Sequence, residues 1–295
     1  MFAPGSAADA SRVDAGVAAL SARGFEPVVK GDTSSSFKRT DRGFGSASAA
    51  ERANSFHELL DDDSVDAILT VRGGYGTAQV LPLIDFNRVS QSGKLLVGYS
   101  DVTGLMLNIV ARCGIPAVHG AFVAGEFADA NAQADESVES LLSLLQGEDI
   151  PRSYPARAVV AGEASGMLLA GNLSMLQTLL GTPWDVMYDG AILVIEDVNE
   201  APYRIHRMLL QLAAAGKLEN LAGLVFGDFS TCRSLTTPDM DWVINDIVLN
   251  YRGSSQYPVL ADFPSGHTGR NVALPLGCRA VIRDGALHLV ESPVG

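Results

Sequence analysis

The chain has 295 residues, 47% hydrophobic and 19% charged, a balance that fits a globular protein of about two domains and excludes disordered, collagenous and coiled-coil chains. Its net charge is −13, with 11 basic and 20 acidic side chains in residues 1–150 and 10 and 14 in residues 151–295. Both halves therefore repel phosphate backbones and anionic lipid, and neither nucleic acid nor a membrane is an expected partner.

The N-terminus, Met1-Phe2-Ala3-Pro4-Gly5-Ser6, lacks the basic and apolar runs of a secretory signal, so a cytoplasmic enzyme is the expectation. Residues Asp9 to Arg23 predict a helix ended by Gly24, Phe25 to Val29 an extended segment, and Ala50 to Leu60 a second helix. Val65 to Val71 reads as a strand that stops at Arg72-Gly73-Gly74-Tyr75-Gly76, with helical residues Thr77 to Leu83 behind it. The pattern repeats in the strand Leu95 to Tyr99, then Ser100, the helix Val102 to Cys113 and Gly114. In parallel α/β sheets, ligands bind beyond the carboxyl ends of the strands, so these two loops are the first places to expect chemistry.

An acidic helix, Glu136 to Gln146, leads into a polar stretch at 147–153 that reads as an interdomain connection. The uncharged run Ala164 to Trp184 is long enough to span a membrane, but its three Gly, its Pro and its polar residues make it a buried segment of a globular domain. Helices follow at Leu173 to Leu180, Tyr203 to Ala215 and Met240 to Leu249, and strands at Ala191 to Val198, Ala222 to Phe226 and Val259 to Phe263. Asp284-Gly285 marks a hairpin between Arg279 to Ile282 and Ala286 to Val290. The expected fold is α/β: a mainly parallel, Rossmann- or flavodoxin-like N-terminal domain (1–130), a linker (131–158) and a strand-rich mixed C-terminal domain (159–295).

Ser100 stands between an apolar strand and a helix, where a sharp turn presents the hydroxyl and leaves backbone N–H groups facing an anion. Val102 breaks the G-x-S-x-G pattern, and capping of the following helix by Ser100 or Asp101 explains the same residues. The Gly73–Gly76 loop is a poor nucleotide fingerprint. It suits a close backbone approach that aims an N–H at an oxyanion, with the Asp101 N–H as second donor, or simply a tight turn.

Among five histidines, His267 stands on a loop directly after the strand Val259 to Phe263, a placement suited to proton transfer and equally to an ordinary surface histidine. Glu196 ends a strand that is apolar on both faces and needs a partner there: His267, or one of Arg204 and Arg207. The sequence has no His-x-x-x-His or His-Glu-x-x-His spacing, the run Asp61-Asp62-Asp63 reads as a solvated helix end, and the dispersed Cys113, Cys232 and Cys278 read as reduced core thiols. No metal site and no organic cofactor is expected.

Taken together, Val71-Arg72-Gly73-Gly74-Tyr75-Gly76, Gly98-Tyr99-Ser100-Asp101, Gly171-Asn172-Leu173-Ser174 with Gly181-Thr182-Pro183-Trp184, Ile195-Glu196-Asp197 leading into Tyr203-Arg204, and Gly266-His267 with Leu274-Pro275-Leu276-Gly277 resemble the LD-carboxypeptidases in order and spacing. These are cytoplasmic serine peptidases of murein recycling. The resemblance covers residues 60 to 280. It implies Ser100 as nucleophile, Glu196 and His267 as the rest of a triad, and Gly73, Gly74 and Asp101 as the oxyanion hole. The nucleophile would lie on the N-terminal domain and the other two on the C-terminal one.

The implied substrate is murein tetrapeptide, cleaved before its terminal D-alanine without a cofactor. Arg72, Tyr75 and Arg204 are the candidates for substrate binding, and a homodimer is an open alternative to a monomer. Family members usually begin with a strand, whereas Met1-Phe2 leaves room for only a very short one unless residues precede it. Two other functions remain in view: a microcin-immunity-type hydrolase of the same family, which needs an aromatic or apolar platform for adenine, and a noncatalytic small-ligand binding protein.

Overall fold

The computed structural model describes residues 1–34, 44–129, 131–147, 152–233, 238–252, 256–267 and 269–294. Its helices start at side-chain caps that the sequence carries. Asp9 accepts the Ser11 N–H to open α1 (Ala10–Ala22), and Ser48 with Glu51 forms a capping box on α2 (Ala49–Asp61). Gly24, at φ 85°, follows α1 in the left-handed conformation that favours glycine. Segment 25–29 forms no strand. Pro27 has no N–H for a ladder, and the segment is tied instead by the Lys30 N–H to the Met1 carbonyl at 3.0 Å.

The first half continues through β1 (Ala67–Leu69), α3 (Thr77–Val80), α4 (Phe86–Ser92), β2 (Leu95–Gly98), α5 (Thr103–Cys113), β3 (Ala117–His119) and α6 (Ala132–Leu145). Sequence reading missed α4, although Asp85 caps its first turn and Gly93 ends it at φ 63°. The second half holds β4 (Arg152–Pro155), β5 (Arg157–Val160), β6 (Ala164–Asn172), α7 (Leu173–Leu179), β7 (Ala191–Glu196), α8 (Pro202–Ala214), β8 (Gly223–Phe226), α9 (Met240–Asn250), β9 (Val259–Ala261), β10 (Leu274–Leu276), β11 (Arg279–Arg283) and β12 (Ala286–Leu289). Residues 148–151 of the polar stretch read as a connection lie outside the described residues.

Two sheets organise the molecule. The first has the order β1-β2-β3-β10, parallel except for β10, which pairs antiparallel with β3. Successive residues of its strands feed opposite cores: Ile68, Leu96 and Ala117 pack with Phe56, Leu59 and Leu105, while Val97 and Val118 pack with Val13, Leu20 and Leu141. That period-two division buries the sheet between helix layers. Phe2 adds a single parallel bridge to Thr70 beside β1.

The second sheet has the order β4-β12-β11-β6-β7-β8-β9-β5. Its centre, β6 through β9, is parallel, and its flanks are antiparallel. Asp284 (φ 52°) and Gly285 (φ 69°) make the hairpin turn between β11 and β12. Strand β10 leaves the C-terminal half to complete the first sheet, a long-range pairing that Leu-Pro-Leu does not announce. Pro275 is tolerated because β10 is the edge strand of that sheet.

The two sheets meet where β6 ends against α5. The Asn172 N–H donates to Thr103 Oγ1 at 3.0 Å, and a Cβ on Gly171 would lie 2.3 Å from Thr103 Cγ2. The seam therefore closes only around a glycine. It sets the carboxyl ends of β2 and β7 side by side. Among the described residues, no helix is long and apolar enough to cross a membrane.

Candidate active site

Ser100 stands one residue beyond β2, after Tyr99, in the left-handed region at φ 58°, a conformation that costs a non-glycine residue about 1 kcal/mol or more. The strain turns the chain sharply from strand into a 3-10 turn and then α5. The capping alternative does not apply to α5, whose N-cap, Val102, makes no side-chain bond. Asp101 instead accepts the Thr77 N–H of α3 at 2.7 Å, which ties the serine turn to the glycine loop. Burial raises the Asp101 pKa, opposed by these N–H bonds.

The glycine loop lies directly against this turn. A Cβ on Gly73 would sit 3.0 Å from Ser100 Cβ, 3.2 Å from Ser100 Oγ and 3.2 Å from the Asp101 nitrogen. Gly74 occupies φ 82°. The loop is held from behind: Ser6 N–H donates to the Gly73 carbonyl at 3.1 Å, Ser6 Oγ accepts the Tyr75 N–H at 3.1 Å, and Arg52 donates to the Gly76 carbonyl at 2.9 Å. The N–H groups of Gly73, Gly74 and Asp101 make no hydrogen bond to another described residue. Gly73 and Asp101 thus bring available donors beside the hydroxyl, and Gly74 a third in the same loop.

His267 arrives on the loop after β9. Its Nε2 lies 2.9 Å from Ser100 Oγ, and its Nδ1 lies 2.6 Å from Glu196 Oε2. Glu196, 1% exposed at the last position of β7, is packed between two glycines, since a Cβ on Gly227 or on Gly266 would lie 3.3 Å from its own Cβ. Burial raises the Glu196 pKa, opposed by its bond to His267. For His267, burial disfavours the imidazolium, but the hydrogen bond and charge of Glu196 outweigh it and hold the pKa above the ordinary histidine value. The Tyr99 ring packs edge-on against the imidazole, with centroids 5.0 Å apart, and is itself anchored to Glu126 at 3.0 Å.

The arginine alternatives for Glu196 are engaged elsewhere. Arg204 pairs with Glu200 at 3.4 Å, and Arg207 lies over the Tyr203 ring. Of the three substrate-binding candidates, Arg72 and Tyr75 are exposed on the glycine loop, whereas Arg204 belongs to this separate cluster at the start of α8. The other histidines have structural partners: His57 accepts the Asp85 N–H, His206 meets Asp246, His288 meets the Arg283 carbonyl, and His119 meets Asn271 and Ser265.

Sequence reading did not foresee the support around these groups. Asp197 accepts from Asn172, from the Ser174 N–H and hydroxyl, and from the Val198 N–H, at 2.8–3.1 Å, so the Gly-Asn-Leu-Ser run locks the end of β7. A buried asparagine at a strand end was the available signal. Among the described residues, no group of three or more His, Cys, Asp or Glu side chains is arranged to hold a metal ion. Asp61 pairs with Arg88 and Asp62 with Lys30.

The model of the LD-carboxypeptidase N-terminal domain matches residues 1–120, and that of the LD-carboxypeptidase C-terminal domain matches residues 165–282. A probable murein peptide carboxypeptidase of Bacillus subtilis is 31% identical over 96% of this chain and 87% of its own length. The crystal structure of muramoyltetrapeptide carboxypeptidase from Oxalobacter formigenes superposes with a TM-score of 0.87 at 28% identity, covering 99% of this chain and 98% of that one. The structure of MccF in complex with glutamyl sulfamoyl guanosine superposes with a TM-score of 0.89 at 21% identity, covering 100% and 96%. That last likeness is one of fold.

Proposed function

The chain belongs to the LD-carboxypeptidase family, and on that premise we propose that it is a serine carboxypeptidase removing the terminal D-alanine of murein tetrapeptide. One observation carries the reading: a strained serine at a strand-to-helix turn, 2.9 Å from an imidazole whose other nitrogen is 2.6 Å from a buried carboxylate. That constellation suits nucleophilic acyl transfer.

His267 Nε2 takes the Ser100 proton as Oγ attacks the carbonyl carbon on the L-centre of diaminopimelate or L-lysine. The carbonyl oxygen becomes an oxyanion and turns toward the N–H groups of Gly73 or Gly74 and Asp101. Each such donor is worth about 10²- to 10³-fold in rate. Glu196 stays ionised, keeps the Nδ1–H tautomer and stabilises the imidazolium. The tetrahedral intermediate collapses, the C–N bond breaks, and His267 gives its proton to the departing D-alanine amine. Water then attacks the acyl-enzyme with His267 again as base. The tripeptide leaves as its C–O bond to Ser100 breaks, and His267 returns the proton to Oγ. Every proton and bond in the cycle is accounted for by these groups and water.

The substrate's terminal carboxylate calls for a guanidinium. Arg72 is the better candidate, since it adjoins Gly73 and, among the described residues, donates only to the Ala7 carbonyl at 3.4 Å, while Arg204 is paired with Glu200. The reading carries with it a cytoplasmic role in peptidoglycan recycling. Its test is free D-alanine released from murein tetrapeptide: wild-type protein that releases none, or a Ser100→Ala variant that keeps full activity, overturns it.

A second reading, hydrolysis of an acyl-sulfamoyl nucleoside, draws on one observation. Phe44 and Tyr75, 79% and 57% exposed, meet edge-to-face at 5.4 Å beside the glycine loop and would offer a nucleobase an aromatic platform. Assaying aspartyl sulfamoyl adenosine alongside the tetrapeptide separates the two readings.

A further inference from the structure

A second histidine lies beneath the site and takes no part in the chemistry above. His119 ends β3, between Gly98 of β2 on one side and Leu274 of β10 on the other. Gly98 precedes Ser100 by two residues, and Leu274 closes the loop that carries His267. His119 therefore occupies the strand that joins the nucleophile's support to the base's support.

Its side chain makes the same connection. His119, Ser265 and Asn271 are 1%, 0% and 1% exposed. His119 Nε2 lies 3.1 Å from Asn271 Oδ1 and 3.1 Å from Ser265 Oγ. Asn271 Oδ1 also accepts the Ser265 hydroxyl at 3.2 Å and, at 3.0 Å, the N–H of Gly266, the residue immediately before His267. The Asn271 N–H is held in turn by Ser137 Oγ at 2.8 Å. The Gly266 N–H sets the orientation of the Asn271 amide, with the oxygen toward the cluster.

That orientation decides the tautomer of His119. Only an Nε2–H can donate to the carbonyl oxygen it faces, and this leaves Nδ1, which has no partner among the described residues, as a bare lone pair rather than a stranded N–H. Burial favours the neutral form of the ring, lowering its pKa to about 4. The opposite face of the cluster is Tyr99, whose ring lies 5.4 Å from His119 and 5.0 Å from His267.

We propose that His119 is a positioning residue: its Nε2–H, through the shared oxygen of Asn271, fixes the Ser265-Gly266 backbone and so holds His267 within hydrogen-bonding reach of Ser100. This rests on the reading of Ser100, His267 and Glu196 as a triad. The Asp228 N–H holds the Ser265 carbonyl from the other side at 2.8 Å, and Gly266, at φ 144°, brings no side chain of its own, so the Asn271 oxygen is the anchor of the Gly266 N–H. A displacement of about 1 Å in a catalytic group costs up to 10²-fold in rate.

The test is the rate at which an alkyl fluorophosphonate labels the serine, measured well below the melting temperature, where folded protein alone is read. This readout needs an activated serine and no murein substrate. His119→Leu should label about 10- to 100-fold more slowly than wild type. His119→Gln, which keeps an amide donor near the Nε2 position, should recover to within about threefold of wild type. Asn271→Ala removes the shared oxygen from the other side and should match the leucine variant, so the prediction stands even where His119→Leu does not fold. A folded leucine or alanine variant labelling at the wild-type rate, or a glutamine variant as slow as leucine, overturns the proposal. Wild-type protein that never labels, or a Ser100→Ala variant that still does, removes the triad reading and this inference with it.

Discussion

Gly73 and Ser100 touch so closely that a single added carbon on Gly73 would stand 3.0 Å from the serine Cβ and 3.2 Å from its hydroxyl. Gly73→Ala leaves the backbone free to keep its conformation but places a methyl where the substrate carbonyl must approach. The expected loss in kcat/KM for D-alanine release is about 10²-fold or more, with a melting temperature close to wild type. Steady-state kinetics beside a thermal melt check this, and a variant of normal activity would show that the carbonyl enters from another side.

Glu196 and His267 act as one unit in the proposed mechanism. Glu196→Gln preserves shape but no longer selects the Nδ1–H tautomer, so kcat should fall about 10³- to 10⁴-fold. Combining it with Ser100→Ala should add almost nothing, because residues that serve one step are strongly non-additive. Turnover numbers for the two single variants and the double variant test this, and additive losses would separate the carboxylate from the serine's chemistry.

The base must be neutral to accept the serine proton. Glu196 holds the His267 pKa above its ordinary value of about 6.5, outweighing the opposing effect of burial. Activity should therefore rise with pH through an acid limb whose midpoint lies above that value, and fall as the pH drops below it. Removing the carboxylate charge with Glu196→Gln should move the residual limb to lower pH. A pH series of kcat/KM measures both, and a midpoint below the ordinary histidine value would contradict the assigned base.

Stability should depend on pH through His119. Its folded pKa is lowered to about 4 by burial, against about 6.5 in the unfolded chain. The unfolded state binds the proton more readily, so the contribution is fully present above the unfolded value. It is lost as the pH falls from there toward the folded one, by up to about 3 kcal/mol. Urea denaturation at neutral and mildly acid pH tests this by comparing wild type with His119→Gln, which should show a flatter dependence. Equal slopes would remove His119 as the origin.

Much of this architecture is legible in short stretches of sequence. The caps Asp9, Gly24 and Gly114, the apolar run before Ser100 and the Asp284-Gly285 turn each act within a few residues, and the structure places helices, strand and hairpin there. Besides α4 and the nine-residue β6, which was read only as a buried segment, the elements missed, β3, β4, β5 and β10, are three or four residues long. Such strands have almost no periodicity to read, and partners far along the chain define them.

The candidate site divides along the same line. Sequence alone determined the candidates for the proposed chemistry: a serine at a strand-to-helix turn, a glycine loop, a carboxylate ending an apolar strand and a loop histidine, in an order that marks the family. Only the tertiary structure decided that Glu196 meets His267 rather than an arginine, and that this histidine among five meets Ser100. Those contacts join residues 71 and 167 positions apart. Burial and sheet order select them, whereas the local propensities that a sequence displays act over a few residues at a time.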